Sequence, residues 1–282
     1  MSTDVEPVSD AQRTRAAVFR GLHDDGIFVM PCAWDAGSAR VLEDAGFAAL
    51  GTTSGGVNWS RGRQDYVYSV PREAMLGDYE SITSSVRLPV SGDLENGYGR
   101  TPGDVAATIR AAIGCGMVGG SIEDQSSEPG PQLIPISSAV ERIAAARETA
   151  DSLLPEFTIT ARAESFYGDV ADPFTDAIER ANRYVAAGAD CVFVPGVSDL
   201  DSLQRLVDAV NAPVSLGVGS GGGSLDLDAL RDAGIRRVST GGALPRAMYA
   251  LLAAASREML QTGTFTYTER VVPEEEINAL MT

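Results

Sequence analysis

Asp93 and Glu95 stand two residues apart in the segment Gly92-Asp93-Leu94-Glu95-Asn96-Gly97-Tyr98-Gly99. In extended chain a spacing of two turns both carboxylates to one side. Glu123 and Asp124 follow the apolar run that starts at Val118, and Arg162 and Glu164 close the run from Phe157. The stretch Thr53-Ser54-Gly55-Gly56 precedes a further acid, Asp65. Carboxylates that converge repel one another unless protons or a cation neutralise them. Hard oxygen ligands with no His or Cys beside them suit Mg²⁺ or Mn²⁺. The spacing of Asp93 and Glu95 favours a metal pair over two separate helix caps or surface charges. For Asp124 and Glu164, local capping or ion pairing stands equally beside a metal role. Arg162 lies in an apolar run, and a buried guanidinium must meet an anion. That anion is either Glu123 or Glu164, or the carboxylate of a substrate. Gly55 and Gly56 form either a plain turn or a pair of N–H donors to an anionic oxygen.

The composition removes several other chemistries. All 22 basic residues are arginine, so there is no lysine to form a Schiff base, hold pyridoxal phosphate or serve a P-loop. The one histidine, His23, lies in a helix-like segment before the first strand and is expected on the helix surface. Histidine triads and histidine-rich metal sites are excluded. Cys32, Cys115 and Cys191 are too few and scattered for a disulfide framework and read as small buried hydrophobes. Proton transfer therefore falls on Asp, Glu, Tyr or Cys. The formal net charge of −17 disfavours nucleic-acid and membrane partners. No apolar run reaches the roughly 20 residues of a membrane span, and the acidic start resembles no signal peptide, so a cytoplasmic location is expected.

Positioning these groups requires strands that end where the acids begin. Strands are expected at 27–31, 48–52, 89–93, 118–123, 157–164, 191–195, 213–217 and 237–240. Amphipathic helices alternate with them at 38–45, 71–86, 101–113, 137–153, 173–187, 200–210 and 225–233, with an eighth at 244–260. Glycines after the helices, at 46, 116, 188 and 234, mark their C-caps. Eight strand–helix units predict one (β/α)8 TIM barrel over 1–282, with a short N-terminal helix and a helical tail, Glu274–Leu280. An open doubly wound sheet is disfavoured because no GxGxxG follows the first strand. The glycine-rich run 219–223 follows strand seven and is either an anion-binding loop or a linker. In a barrel the strand C-termini carry the active site, which is where the candidate acids fall.

At these residues the chain resembles the isocitrate lyase/phosphoenolpyruvate mutase superfamily. The likeness runs from Pro31-Cys32-Ala33-Trp34-Asp35-Ala36-Gly37-Ser38-Ala39-Arg40 to Leu244-Pro245-Arg246-Ala247. Its most specific pieces are the Gly92–Gly99 segment, Ser121-Ile122-Glu123-Asp124 and Thr160-Ala161-Arg162-Ala163-Glu164. The resemblance implies a barrel that forms a homo-oligomer, dimer or tetramer, by exchanging its last helix. It implies Mg²⁺ held directly by Asp93, with Glu95, Glu123 and Asp65 as water-mediated partners. Glu95 stands where many members have Asp. Thr53, Ser54, Gly55 and Gly56, with Arg162, are similar to the family's substrate-oxygen ligands.

The loop after strand four departs from the family. Lyases there carry Lys-Lys-Cys-Gly-His, whose Cys is the acid–base group, and phosphonopyruvate enzymes carry lysines, Asn and Ser. This chain has Gln125-Ser126-Ser127-Glu128-Pro129-Gly130-Pro131-Gln132-Leu133. The expected activity is a Mg²⁺-dependent C–C lyase, decarboxylase or hydrolase acting on a small α-oxo carboxylate, oxaloacetate-like or 2-alkylmalate-like. Arg162, Glu123 and Asp65 are its expected catalytic groups. The alternatives are P–C bond chemistry on phosphonopyruvate or carboxyphosphonate, and a non-catalytic oxo-acid binder. The segment 125–136, with prolines at 129, 131 and 135, is expected to be a lid that contributes hydrogen bonds from Gln125, Ser126 and Ser127 rather than the main acid–base group.

Overall fold

A computed structural model describes residues 7–282, apart from Val67, Pro129, Pro131 and 220–224. The chain builds a ring of parallel strands. These are β1 (Phe28–Met30), β2 (Cys32–Ala33), β3 (Leu50–Thr52), β4 (Val90–Asp93), β5 (Gly119–Glu123), β6 (Thr158–Arg162), β7 (Cys191–Phe193), β8 (Val214–Gly217) and β9 (Arg237–Ser239). Each pairs in parallel with the next from β2 to β9, and β9 returns to β1. β1 and β2 are two halves of one barrel strand, interrupted at Pro31, which has no N–H to donate. The Pro31 carbonyl still accepts from Gly51, so the ring stays closed across the break. The expected (β/α)8 barrel is therefore present, its first strand running two residues past the expected end.

Helices cover the outside: α1 (Asp10–Gly21), α2 (Ala36–Asp44), α3 (Ser54–Ser60), α4 (Arg72–Ser85), α5 (Pro102–Gly114), α6 (Ile136–Leu153), α7 (Pro173–Ala186), α8 (Leu200–Ala209), α9 (Leu227–Asp232), α10 (Ala243–Gln261) and α11 (Glu274–Leu280). In α7 the buried positions are Ala177, Arg180, Ala181 and Tyr184, the i, i+3, i+4, i+7 stripe that faces a sheet. α1 closes the N-terminal end of the barrel. Its Phe19 ring lies 2.8 Å from where a Cβ on Gly119 would stand, and Gln12 donates to the carbonyls of Ile113 and Met117.

Two expectations need correction here. His23 is buried, not on a helix surface: it follows α1 and packs edge-on to Phe19 and Phe28, with ring centroids 5.0 Å away in both cases. Its Nε2 faces Arg237 at 3.3 Å, and that guanidinium also donates to Ser215 Oγ and Thr160 Oγ1, each at 3.0 Å. The barrel floor is thus a polar layer that the sequence pattern hides. Secondly, Gly55 and Gly56 stand in a helix, Ser54–Ser60, rather than a plain turn, because Thr53 caps it by accepting from the Gly56 amide. Cys32 and Cys191 are buried as expected, and Cys115 is partly exposed.

α10 buries only Pro245 and Ala255 within the chain. Met248, Leu251, Leu252 and Leu260 are left outside, the last 88 % exposed. No helix of the described residues is long and apolar enough to cross a membrane.

Candidate active site

A cavity of about 100 Å³ opens at the C-terminal ends of the strands. Thr53, Ser54, Gly55, Asp65, Asp93, Glu95, Glu123 and Arg162 all line it. Gly56 does not. Its amide is spent on the Thr53 cap, and a Cβ there would meet Trp34 at 2.7 Å.

Asp93 ends β4 and is held on every side. Its amide donates to Thr52 Oγ1 at 2.9 Å and its carbonyl accepts from Tyr79 Oη at 2.8 Å. Its Oδ2 accepts from the Ser54 amide at 3.0 Å and the Ser54 hydroxyl at 2.8 Å. Strand β4 stops there, and Glu95 adopts φ +48°, the left-handed region. The pleat therefore does not align Asp93 with Glu95, as extended chain would. A turn does so, closed by the Gly97 amide on the Leu94 carbonyl and clamped by Arg142, which donates to the carbonyls of Asn96 and Gly99. Tyr66, Tyr68 and Tyr98 also have positive φ. Each such residue costs on the order of 1–3 kcal/mol, which surrounding contacts must offset. Tyr66 and Tyr68 line the cavity beside Glu95.

Glu123 ends β5, and Arg162 lies opposite it at the end of β6. Arg162 donates from Nε at 2.8 Å and Nη2 at 2.7 Å to Glu164 Oε1. Its other edge reaches Glu123 Oε2 at 3.1 Å and Asp93 Oδ1 at 3.3 Å. Phe193 packs under it, 5.4 Å from ring centroid to guanidinium carbon. Tyr68 Oη donates to Glu123 Oε1 at 2.7 Å. Asp124 turns away from the cavity and pairs with Arg180 and Tyr184, so ion pairing rather than a metal role is what the structure shows for it, with partners distant in the chain.

The cavity wall gathers four acids, with Glu164 behind Arg162, and Arg162 is the one cation among the described lining residues. Burial first, and then Asp93 and Glu123, push the Glu95 carboxyl up to about 9. Burial lifts Glu123 to about 8 even against the pull of Arg162. Asp65 rises for the same reason, with Asp93 adding repulsion. Arg162 stays charged despite burial because Glu164, Glu123 and Asp93 surround it. Such a concentration of perturbed carboxylates in a cleft makes it the candidate active site.

The donor set suits a hard divalent cation. All its candidate atoms are oxygens, and Glu95 Oε2 is buried without a hydrogen-bond partner. Among the described residues no three acids stand close enough to clasp an ion between them. A cation held here would need water to complete its shell.

Several lining residues escaped the sequence reading: Tyr66, Tyr68, Tyr167, Phe193 and Val218. The aromatic pair at 66 and 68, close behind Asp65, was the available signal. Gln125, Ser126 and Ser127 are not in the wall. The Ser126 amide instead bonds the Gln132 carbonyl, and the Ile134 amide the Asp124 carbonyl, which folds the loop onto itself. The prolines expected at 129 and 131 lie outside the described residues, as does most of the glycine-rich run, of which Gly219 is described.

The family model of phosphoenolpyruvate phosphomutase matches residues 19–260. An uncharacterized Mycobacterium tuberculosis protein is 34 % identical over 262 residues, covering 93 % of this chain and 95 % of that one. An oxaloacetate decarboxylase of Rhodopseudomonas palustris is 31 % identical over 227 residues, covering 73 % and 72 %. A solved structure from Burkholderia cenocepacia, described as a lyase or mutase, is 45 % identical, covers 96 % of both chains and superimposes with a TM-score of 0.92.

Proposed function

The chain belongs to the phosphoenolpyruvate phosphomutase family, and from that premise we propose a Mg²⁺-dependent enzyme that cleaves the C–C bond adjacent to an α-oxo carboxylate. Its substrates would be small acids, oxaloacetate-like or 2-alkylmalate-like. The observation that carries this reading is the geometry at Arg162. Glu164 occupies one edge of the guanidinium, while the other faces the cavity beside Asp93 and Glu123.

Asp93 would hold the ion directly, and Glu95, Glu123 and Asp65 through water. Bound there, Mg²⁺ supplies a Lewis acid that polarises the oxo group. Arg162 binds a substrate carboxylate with its cavity-facing edge. The Gly55 amide, in the first turn of α3, is free to donate toward a developing oxyanion. Tyr66, Phe193 and Val218 exclude water. The acid groups of the described wall are carboxylates and tyrosines, and Asp65 or Glu123, the latter steadied by Tyr68, would relay a proton to the cleaved carbon. Decarboxylation makes the smallest demand on such a set, since the bond breaks before any proton is delivered.

The relative from Rhodopseudomonas palustris, named for oxaloacetate decarboxylation, supports the oxo-acid class. The family's name points to a second reading, P–C chemistry on phosphonopyruvate, against which stands a loop with no lysine or asparagine at 125–133. The test is Mg²⁺-dependent consumption of oxaloacetate, 2-alkylmalates, methylisocitrate and phosphonopyruvate, with the products of each identified by NMR. Turnover of phosphonopyruvate alone would replace this reading with the second. Oxalate binding without turnover of any acid would make the protein a binder.

A further inference from the structure

Arg180 lies on α7, outside the barrel, yet is only 8 % exposed. Its Nη1 donates to Asp124 Oδ2 and to the Ile134 carbonyl, each at 3.0 Å, and its Nε to Asp176 at 2.7 Å. Tyr184, one turn on, donates to the same Asp124 oxygen at 2.5 Å. The other oxygen of Asp124 accepts the backbone amide of Glu164 at 2.8 Å. Glu164 in turn takes the Nε and Nη2 edge of Arg162. Asp124, Glu164, Arg180 and Tyr184 are all buried.

We propose that Arg180, acting with Tyr184 through Asp124, is a positioning residue for Arg162, and that it ties the root of the 125–134 loop to the same guanidinium. A guanidinium has two usable edges. With Glu164 fixed on one, Arg162 can present only the other to the cavity. Glu164 lies one residue past the Ala163 that still pairs with β7, so no strand ladder fixes it. The hydrogen bond from its backbone N–H to Asp124 Oδ1 does so instead. Asp124 holds that bond only while its own charge is held, and Arg180 and Tyr184 are its partners. The Ile134 amide donates to the Asp124 carbonyl while Arg180 takes the Ile134 carbonyl. The loop root and the substrate-facing arginine thus rest on one ion pair. None of the three residues lines the cavity.

This inference rests on the proposed carboxylate-binding role of Arg162. Oxalate, a stable analogue of the α-oxo carboxylate, is titrated calorimetrically into the Mg²⁺-loaded full chain well below each variant's Tm. Arg180→Gln is expected to weaken oxalate about tenfold or more, since small misplacements of a binding group are costly. Mg²⁺ affinity is measured in parallel and oxalate is titrated at saturating Mg²⁺, because Arg162 also contacts Asp93 and Glu123 and the two effects must be read apart. Arg180→Lys should recover part of the loss, keeping the charge but not the fork. Tyr184→Phe, a milder change, should weaken oxalate about threefold and decides the matter if Arg180→Gln does not fold. Wild-type oxalate affinity in both folded variants overturns the proposal. Failure of the wild type to bind oxalate overturns the carboxylate-binding reading itself, and this inference with it.

Discussion

A Cβ on Gly55 would come within 2.6 Å of Asp65 Oδ2. The carboxylate of Asp65 occupies the space that a side chain at position 55 would need, and it accepts from Asn58 Nδ2 at 3.3 Å. Gly55→Ala should therefore push Asp65 out of the site while the α3 cap survives. Mg²⁺ affinity should fall about tenfold with under about 1.5 kcal/mol lost in stability. Calorimetric Mg²⁺ titration and urea unfolding check this. Unchanged metal affinity would remove Asp65 from the ligand set.

Asp93 is expected to be the direct metal ligand. Asp93→Ala should abolish Mg²⁺ binding and turnover while leaving the circular dichroism spectrum intact, since strand-end carboxylates serve function rather than packing. Full activity in that variant, or in EDTA-treated protein, contradicts the metal role.

The acid ring sets a pH dependence of unusual sign. Glu95 and Glu123 are raised to about 9 and about 8, so the metal-free folded chain keeps protons that the unfolded chain releases above its ordinary carboxylate range. Stability without metal should therefore fall as pH rises from about 5 to 9. Mg²⁺ needs the ionised carboxylates, so its stabilisation should grow over the same range. Thermal melts with and without Mg²⁺ at pH 6, 7.5 and 9 read both trends. Glu95→Gln should flatten the metal-free curve.

His23 acts at the other end of the pH scale. Burial, and then Arg237, lower it to about 3, so the folded chain holds it neutral where the unfolded chain binds a proton below about 6.5. Its contribution is complete above pH 6.5 and is lost as pH falls toward 3, by on the order of a few kcal/mol. His23→Gln should show a shallower fall in Tm between pH 6.5 and 4 than wild type. Parallel curves would mean that His23 is not the sensor.

Glu128 is half-exposed and paired with Arg100 outside the cavity wall. Glu128→Gln and Ser126→Ala should each change kcat less than about threefold. A near-total loss of kcat in Glu128→Gln alone, with binding retained, would give the loop the general acid.

The bare face of α10 should be covered by a second copy of the chain. Its Met248, Leu251 and Leu252 form an exposed apolar row on one helix face, the kind of patch that marks an interaction surface. Light scattering at micromolar concentration should return a dimer or tetramer, and a monomeric mass would refute the expected exchange.

The alternation of apolar runs with amphipathic stretches, and the acids at the ends of those runs, are local patterns. They were enough to specify the barrel and to bring eight of the nine candidate site residues to one cavity, because strand period and strand end are properties of adjacent residues. What the tertiary structure decided depends on residues far apart in the chain. Arg162 and Asp93 are 69 positions apart, Arg180 and Asp124 56, and Arg237 and His23 214. Arg162 meets internal acids on both edges: Glu164 takes one, and Glu123 and Asp93, on the cavity wall, stand at the other. The left-handed turn that aims Glu95 is imposed by Arg142 from α6, and the polar floor around Arg237 is assembled from four separate elements. Burial and charge at these points arise only when distant segments pack, so no local period encodes them.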